Sequence, residues 1–218
     1  MYGSVQKRAA TSVKLAPVRG PAVIRPCDLL VTREVLCGRD RKSHLRAAGA
    51  AFDELAKILA GDPARVLQRL LDCVLRLYAA GSAGLSVLQS GSGGHSDFVW
   101  EVVSGALTPH QGDGTPRDFG PCGLCLDMGT AIVLARPERA FGYLARVQPA
   151  IIEALIVPLY DPEGTPLGAL WVFHHDPAAR FGDNDVGIIE RFAAPTALAL
   201  QRCRAPQSCE RSKSARLS

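Results

Sequence analysis

The sequence predicts an α+β fold: a central, mostly antiparallel sheet flanked by helices from both ends of the chain. Three observations lead there. Apolar residues recur at three- and four-residue steps from Leu45 to Tyr78 and again after Asp183, the spacing of amphipathic helices. Between Ala83 and His175 the apolar stretches become short and are bounded by turn residues, as strands are. Two of the links between those stretches, SGSGGHSD and DPEGTP, have the composition of hairpin turns, which join antiparallel neighbours.

The elements follow in order. Asp28 to His44 has only short apolar clusters and a charged run and reads as an irregular or weakly helical lead-in. Leu45, Ala48, Phe52, Leu55, Ile58 and Leu59 define a first helix that Gly61 ends. Asp62-Pro63 is a helix start, with Asp as N-cap and Pro at the first helical position. Val66, Leu67, Leu70, Leu71, Val74, Leu75 and Tyr78 give that second helix a broad apolar stripe, and it stops near Gly81. Ala83 to Gln89 is a strand, and Phe98 to Leu107 is its partner. Strict alternation places Phe98, Trp100 and Val102 on one face, with Val99, Glu101 and Val103 on the other.

Thr108 to Gly129 is dense in glycine and proline, too irregular for a long element and too apolar for a mere linker. Ala131 to Ala135 reads as a short strand, Pro137 to Leu144 as a short helix, and Glu153 to Asp161 as a strand in which Pro158 argues for an edge position or a bulge. Leu167 to His175 is the last strand. Asp183 to about Cys203 is the closing helix, which Pro195 is expected to kink or split.

With 218 residues, 47% of them hydrophobic, the chain buries one sizeable core, read as a single domain over 45–203. Residues 1–44 form a disordered or irregular extension and 204–218 a disordered basic tail, because both tails are too polar to repay ordering. Much of the formal net charge of +4 sits in those tails, so no nucleic-acid partner is expected. No apolar run is long enough to span a membrane and no signal-peptide pattern opens the chain. A cytoplasmic protein without membrane contact is expected, its odd set of seven cysteines reduced.

The segments LYAAGSAGLSVLQ, TPRDFGPCGLCLD (Thr115 to Asp127), RPERAFGYL (Arg136 to Leu144), IIEALIVPLYDPEGTPLGALWVFHHD and RFGDNDVGIIERFA resemble the GAF domain. The D-F-x-P-C-G and R-P-E-R segments resemble the subgroup found at the N-terminus of bacterial sensor histidine kinases. The resemblance spans about Ala50 to Gln201. It implies a GAF-like (PAS-like) sheet with N- and C-terminal helices on one face, and a loop and short-helix cover enclosing a small-molecule pocket on the other. It also implies a homodimer through the terminal helices. Subgroup members usually continue into a kinase, whereas the last predicted helix here ends about fifteen residues before the C-terminus. Output to a separate kinase or other signalling partner is therefore expected.

Aromatic, thiol and charged residues near the implied pocket are the ligand-binding candidates: Phe98, Trp100, Asp118, Phe119, Cys122, Cys125, Arg136, Tyr143 and Trp171. Planar rings facing a covered sheet could stack on a ligand or simply fill the core. Arg117 with Asp118, and Arg136 with Glu138, read as polar groups at the mouth or as surface charge pairs. Cys122 and Cys125 form one C-x-x-C pair, half a tetrahedral metal site at most, and His110, His174 and His175 stand at no ligand spacing. The two adjacent histidines read as solvated residues at a strand end. Phe181 and Asp185 match part of a cyclic-nucleotide signature, but Val186 replaces its Glu and no Asn-Lys pair precedes. No bilin attachment signature, phosphate loop, HExxH or Gly-x-Ser-x-Gly is present. The ligand and any cofactor are not named by the sequence. Two further readings are a thiol enzyme resembling free methionine sulfoxide reductase and using Cys122, and an interaction module whose pocket has collapsed.

Overall fold

The structure, a computed structural model, describes residues 24–39, 44–61, 63–90 and 96–204. Both tails beyond these limits, Asp62 with its N-cap assignment, and 91–95 of the first hairpin link lie outside the described residues.

The lead-in carries a 3-10 turn at Pro26–Leu29 and a five-residue helix α1, Arg33–Cys37. Helices α2 (His44–Leu59) and α3 (Pro63–Tyr78) form where the apolar spacing predicts. Six strands follow, all paired antiparallel: β1 (Ser82–Ser90), β2 (Ser96–Gly105), β3 (Gly114–Pro116), β4 (Ile132–Ala135), β5 (Glu153–Tyr160) and β6 (Pro166–His174), in the order β3-β2-β1-β6-β5-β4. Helix α4, Pro121–Met128, lies between β3 and β4, and α5, Asp183–Arg204, closes the fold.

The sheet separates two cores. Leu155, Val157 and Leu159 of β5 and Leu170 and Val172 of β6 meet α2, α3 and α5 on one face. Ala154 and Ile156, with Ala169, Trp171 and Phe173, point to the other face, which α4 and the segment before β5 cover. The two-residue period of β5 and β6 is thus buried on both sides.

Three expectations are corrected. The strict alternation of β2 fails at Glu101: Leu85 pairs with Val102 while Ser86 pairs with Trp100, leaving Glu101 as an extra residue. This β-bulge reverses the faces beyond it. Phe98 and Trp100 therefore share the cover-side core with Val103, and Val102 packs against the helical core instead. The glycine-rich stretch is not loop throughout, since it contains β3 and the eight-residue α4. The segment after β4 is not an α-helix but two 3-10 turns, Pro137–Arg139 and Gly142–Arg146. Of the two outcomes expected at Pro195, a kink or a split, the split does not occur, and α5 runs unbroken through it. The proline lacks the N–H that would bond back to Arg191, and one residue on Thr196 Oγ1 donates to the Phe192 carbonyl at 2.6 Å.

Pro158 sits in β5 between two neighbours, but the β4 ladder ends at the Ile132 to Ile156 pair. At Pro158 only β6 remains beside the strand, and the register shifts one residue further on, between Leu159 and Tyr160. The missing donor is thereby accommodated. Among the described residues no helix is long and apolar enough to cross a membrane.

Candidate functional site

The cover-side core is built around rings. Trp171 is fully buried on β6, its indole 4.9 Å from that of Trp100 on β2 and stacked at 4.3 Å on Phe173. His110 meets Trp100 edge-on at 6.2 Å. Trp171 lies flat against β1 because position 84 is glycine, where a Cβ would come within 2.2 Å of the indole. Its Nε1 donates to Ser86 Oγ at 3.1 Å, so the one polar atom of the ring is satisfied inside the core.

Helix α4 covers this core, and the D-F-x-P-C-G segment explains its seat. Gly120 is the N-cap, and a Cβ there would meet the Tyr143 hydroxyl at 2.7 Å. A Cβ at Gly123 would lie 2.1 Å from the carbonyl oxygen of Arg117. Both glycines thus permit a close approach that no larger residue allows. Arg117 ties the helix down, donating to the Gly123 carbonyl at 3.4 Å and pairing with Asp127 at 2.6 Å. Phe119 stacks on Tyr143 at 5.5 Å and is 37% exposed, so this pair forms the outer seam of the cover. The first 3-10 turn buries Glu138 Oε2 without a hydrogen-bond partner.

Of the nine candidates, Phe98, Trp100, Cys122, Cys125 and Trp171 come together in one buried core, with Tyr143 packed against it. Phe119 stands at the seam. Asp118 and Arg136 are exposed, and Arg117 has Asp127 as its ion-pair partner. Arg136 adopts a left-handed backbone, φ 53°, at the turn out of β4. Sequence reasoning missed Ser86, Phe173 and His110. Ser86 carried a signal, the one hydroxyl within the predicted strand Ala83 to Gln89, which when buried requires a partner.

Burial governs the chemistry of the thiols. It pushes Cys122 up to about 11, partly opposed by a hydrogen bond with Ser86. Cys125 is raised further by burial and by the neighbouring Cys122, and its thiol donates to the carbonyls of Thr130 at 3.4 Å and Ile156 at 3.5 Å. Burial likewise raises Tyr143 well above its usual value. A thiolate nucleophile needs the opposite shift. His174, read as solvated, is 6% exposed and stacks on Phe181 at 4.2 Å; burial lowers it to about 4. His175 bridges Ser82 Oγ at 2.8 Å and the Ala150 carbonyl at 2.9 Å. Among the described residues no group of three or more His, Cys, Asp or Glu is placed to hold a metal ion.

Comparison with known proteins places this geometry. The family described as GAF domain matches residues 60–201. No curated protein matches the sequence. Among solved structures, the chain is similar to the GAF domain of a phosphoenolpyruvate-protein phosphotransferase from Acinetobacter, with TM-score 0.61 and 12% identity over 78% of this chain and 100% of that one. It is also similar to the nlh2 GAF domain of A. aeolicus, with TM-score 0.56 and 14% identity over 73% and 98%. A third is a free methionine-R-sulfoxide reductase from Neisseria meningitidis, solved with its substrate, with TM-score 0.51 and 16% identity over 74% and 87%. At these identities the likeness is one of fold.

Proposed function

The chain belongs to the GAF domain family, and from that footing we propose that it is a sensory module without catalysis, whose cover-side core is the receptor. Domains of this family are generally regulatory and bind small ligands. In this reading a small molecule enters at the Phe119–Tyr143 seam and displaces part of the ring packing. The displacement crosses the sheet to α2 and α5, which form a homodimer face. Output passes to a separate histidine kinase or other signalling protein in the cytoplasm.

The observation that carries the reading is the composition of the cover-side core. Two tryptophans and a buried serine lie beneath a cover of short pieces that contributes two thiols, and the turn after β4 holds an unmatched carboxylate oxygen on Glu138. The chain has only two tryptophans, and both are here. Intrinsic tryptophan fluorescence therefore reports on this core alone. Titration with a panel of nucleotides and small metabolites, paired with thermal-shift measurements, is expected to yield a compound that moves both signals. A panel that moves neither leaves the interaction module. The full burial of Trp171 favours that second reading, because a filled core needs no ligand to be stable.

The raised Cys122 thiol supports the absence of thiol catalysis. Neither wild type nor Cys122→Ser is expected to reduce free methionine sulfoxide, and turnover that requires Cys122 would replace the sensory reading with an enzymatic one.

A further inference from the structure

Residues 24–39 precede the stretch that matches the family, yet they are seated on the domain. Leu30 bridges to Leu134, and Val31 N donates to Val133 O at 2.9 Å, so this arm lies along β4, the last strand at its end of the sheet. Leu29 and Leu36 are buried in the process. Arg39 then reaches inward, its Nη1 donating to Glu153 Oε1 at 2.9 Å and to the Phe181 carbonyl at 3.4 Å.

Glu153 is only 1% exposed, and its second oxygen accepts from Phe181 N at 2.8 Å. The neighbouring Gly182 N donates to Asp185 Oδ2 at 2.9 Å in the first turn of α5, and the Asp185 carbonyl accepts from Tyr78 Oη at 2.8 Å at the end of α3. A single carboxylate thus joins the arm, the first residue of β5 and the segment that starts α5. We propose that Arg39 and Glu153 form a latch coupling the seating of the N-terminal arm to the start of α5, an input to the domain separate from the cover-side core.

The physical reason is the burial of the carboxylate. A charge removed from water must keep its donors, and breaking one partner away is far more disruptive than at the surface. When Arg39 swings out, Glu153 keeps the Phe181 N–H, while Arg180 Nε stands 4.0 Å away. The carboxylate then shifts toward solvent or toward Arg180, and the Phe181 backbone shifts with it. Lifting the arm also uncovers backbone groups of β4, the kind of edge that proteins keep covered. Arg33 and Asp183 form a second tie between arm and α5, 3.4 Å apart, but Arg33 is 80% exposed and the pair is a weak one.

Amide hydrogen exchange on the intact chain tests the latch. In Arg39→Ala, protection at Val31 and Leu36 and in the first turn of α5 is expected to fall together by about tenfold or more, while the β1–β2 ladder stays unchanged. Glu153→Gln removes the charge without leaving it buried and unpaired, so it keeps the fold and is expected to give the same paired loss. The double variant is expected to lose little beyond either single one, because both act on one contact. Arg33→Ala is expected to leave both regions protected. Loss confined to the arm, simple addition of the two single losses, or an equal effect from Arg33→Ala would each overturn the latch.

Discussion

The two faces of the sheet are buried by different means. On the helical face, Leu155, Val157, Leu170 and Val172 meet three long helices whose own apolar residues are mainly Leu, Ile and Val, with the rings of Phe52 and Phe192 tilted against each other at 5.0 Å. On the cover face, Trp100, Trp171, Phe173 and Phe98 meet one eight-residue helix and two 3-10 turns. Aliphatic side chains interdigitate along regular ridges. Rings under short pieces instead depend on particular gaps, such as Gly84 beneath the Trp171 indole and Gly120 beneath the Tyr143 hydroxyl. The helical face is thus suited to hold the domain together, and the cover face to be rearranged locally.

Substitutions and pH can break this contrast or sharpen it. The largest expected effect is that of Phe192→Ala on the helical face, a loss of about 3–5 kcal/mol in urea unfolding, because the ring is fully buried. Acid attacks the same face. His174 is lowered from 6.5 to about 4 by burial, with the Asp185 carboxylate pulling the other way. Between those values the unfolded chain binds a proton that the folded chain does not, so stability falls as pH drops through that window, by about 3 kcal/mol in all. His174→Gln is expected to flatten this limb of the stability profile.

Alkali acts on both faces, on the helical one through Cys73, which burial raises to about 11, and on the cover face through Cys122. Burial raises Cys122 from 9.0 to about 11, so across that interval the unfolded chain releases a proton that the folded chain keeps, and stability falls with rising pH by about 2–3 kcal/mol. In Cys122→Ala the alkaline decline is expected to shrink, and an unchanged decline would remove Cys122 from the account. The smallest effect is expected for Trp171→Phe, about 1 kcal/mol from the lost bond to Ser86 and a partly filled ring site. Circular dichroism melts would measure it. A loss as large as that of Phe192→Ala would erase the distinction between the faces.

The same contrast explains what was legible beforehand. Helices α2 and α3 have one buried stripe each, so their spacing shows, and the hairpin strands are bracketed by turn residues. Helix α4 hid because Pro121, Cys122, Gly123, Cys125 and Leu126 are all buried, which leaves no polar face to set a period. The two 3-10 turns looked helical because composition does not distinguish turn pitch. Five ring and thiol candidates did converge, since large apolar groups on alternate strand positions have few places to go. Asp118 and Arg136 did not join them, because a charge beside a pocket in sequence is free to face water. The dependence of Trp171 on Ser86 and Gly84 was beyond reach, as it requires knowing that β1 and β6 are neighbours.

The extra residue in β2 has a consequence for chain length. Because Trp100 pairs with Ser86 and Val102 with Leu85, removing Glu101 would close the ladder without moving either partner row, yet it would erase the local bend. Trp100 exchanges backbone bonds with Gly112 and Asp113 at that bend. A strand one amino acid shorter would therefore re-aim the whole margin of the sheet, and with it the wall on which the indoles rest. In this molecule a single inserted position sets an angle, and that angle sets the shape of the cover-side core.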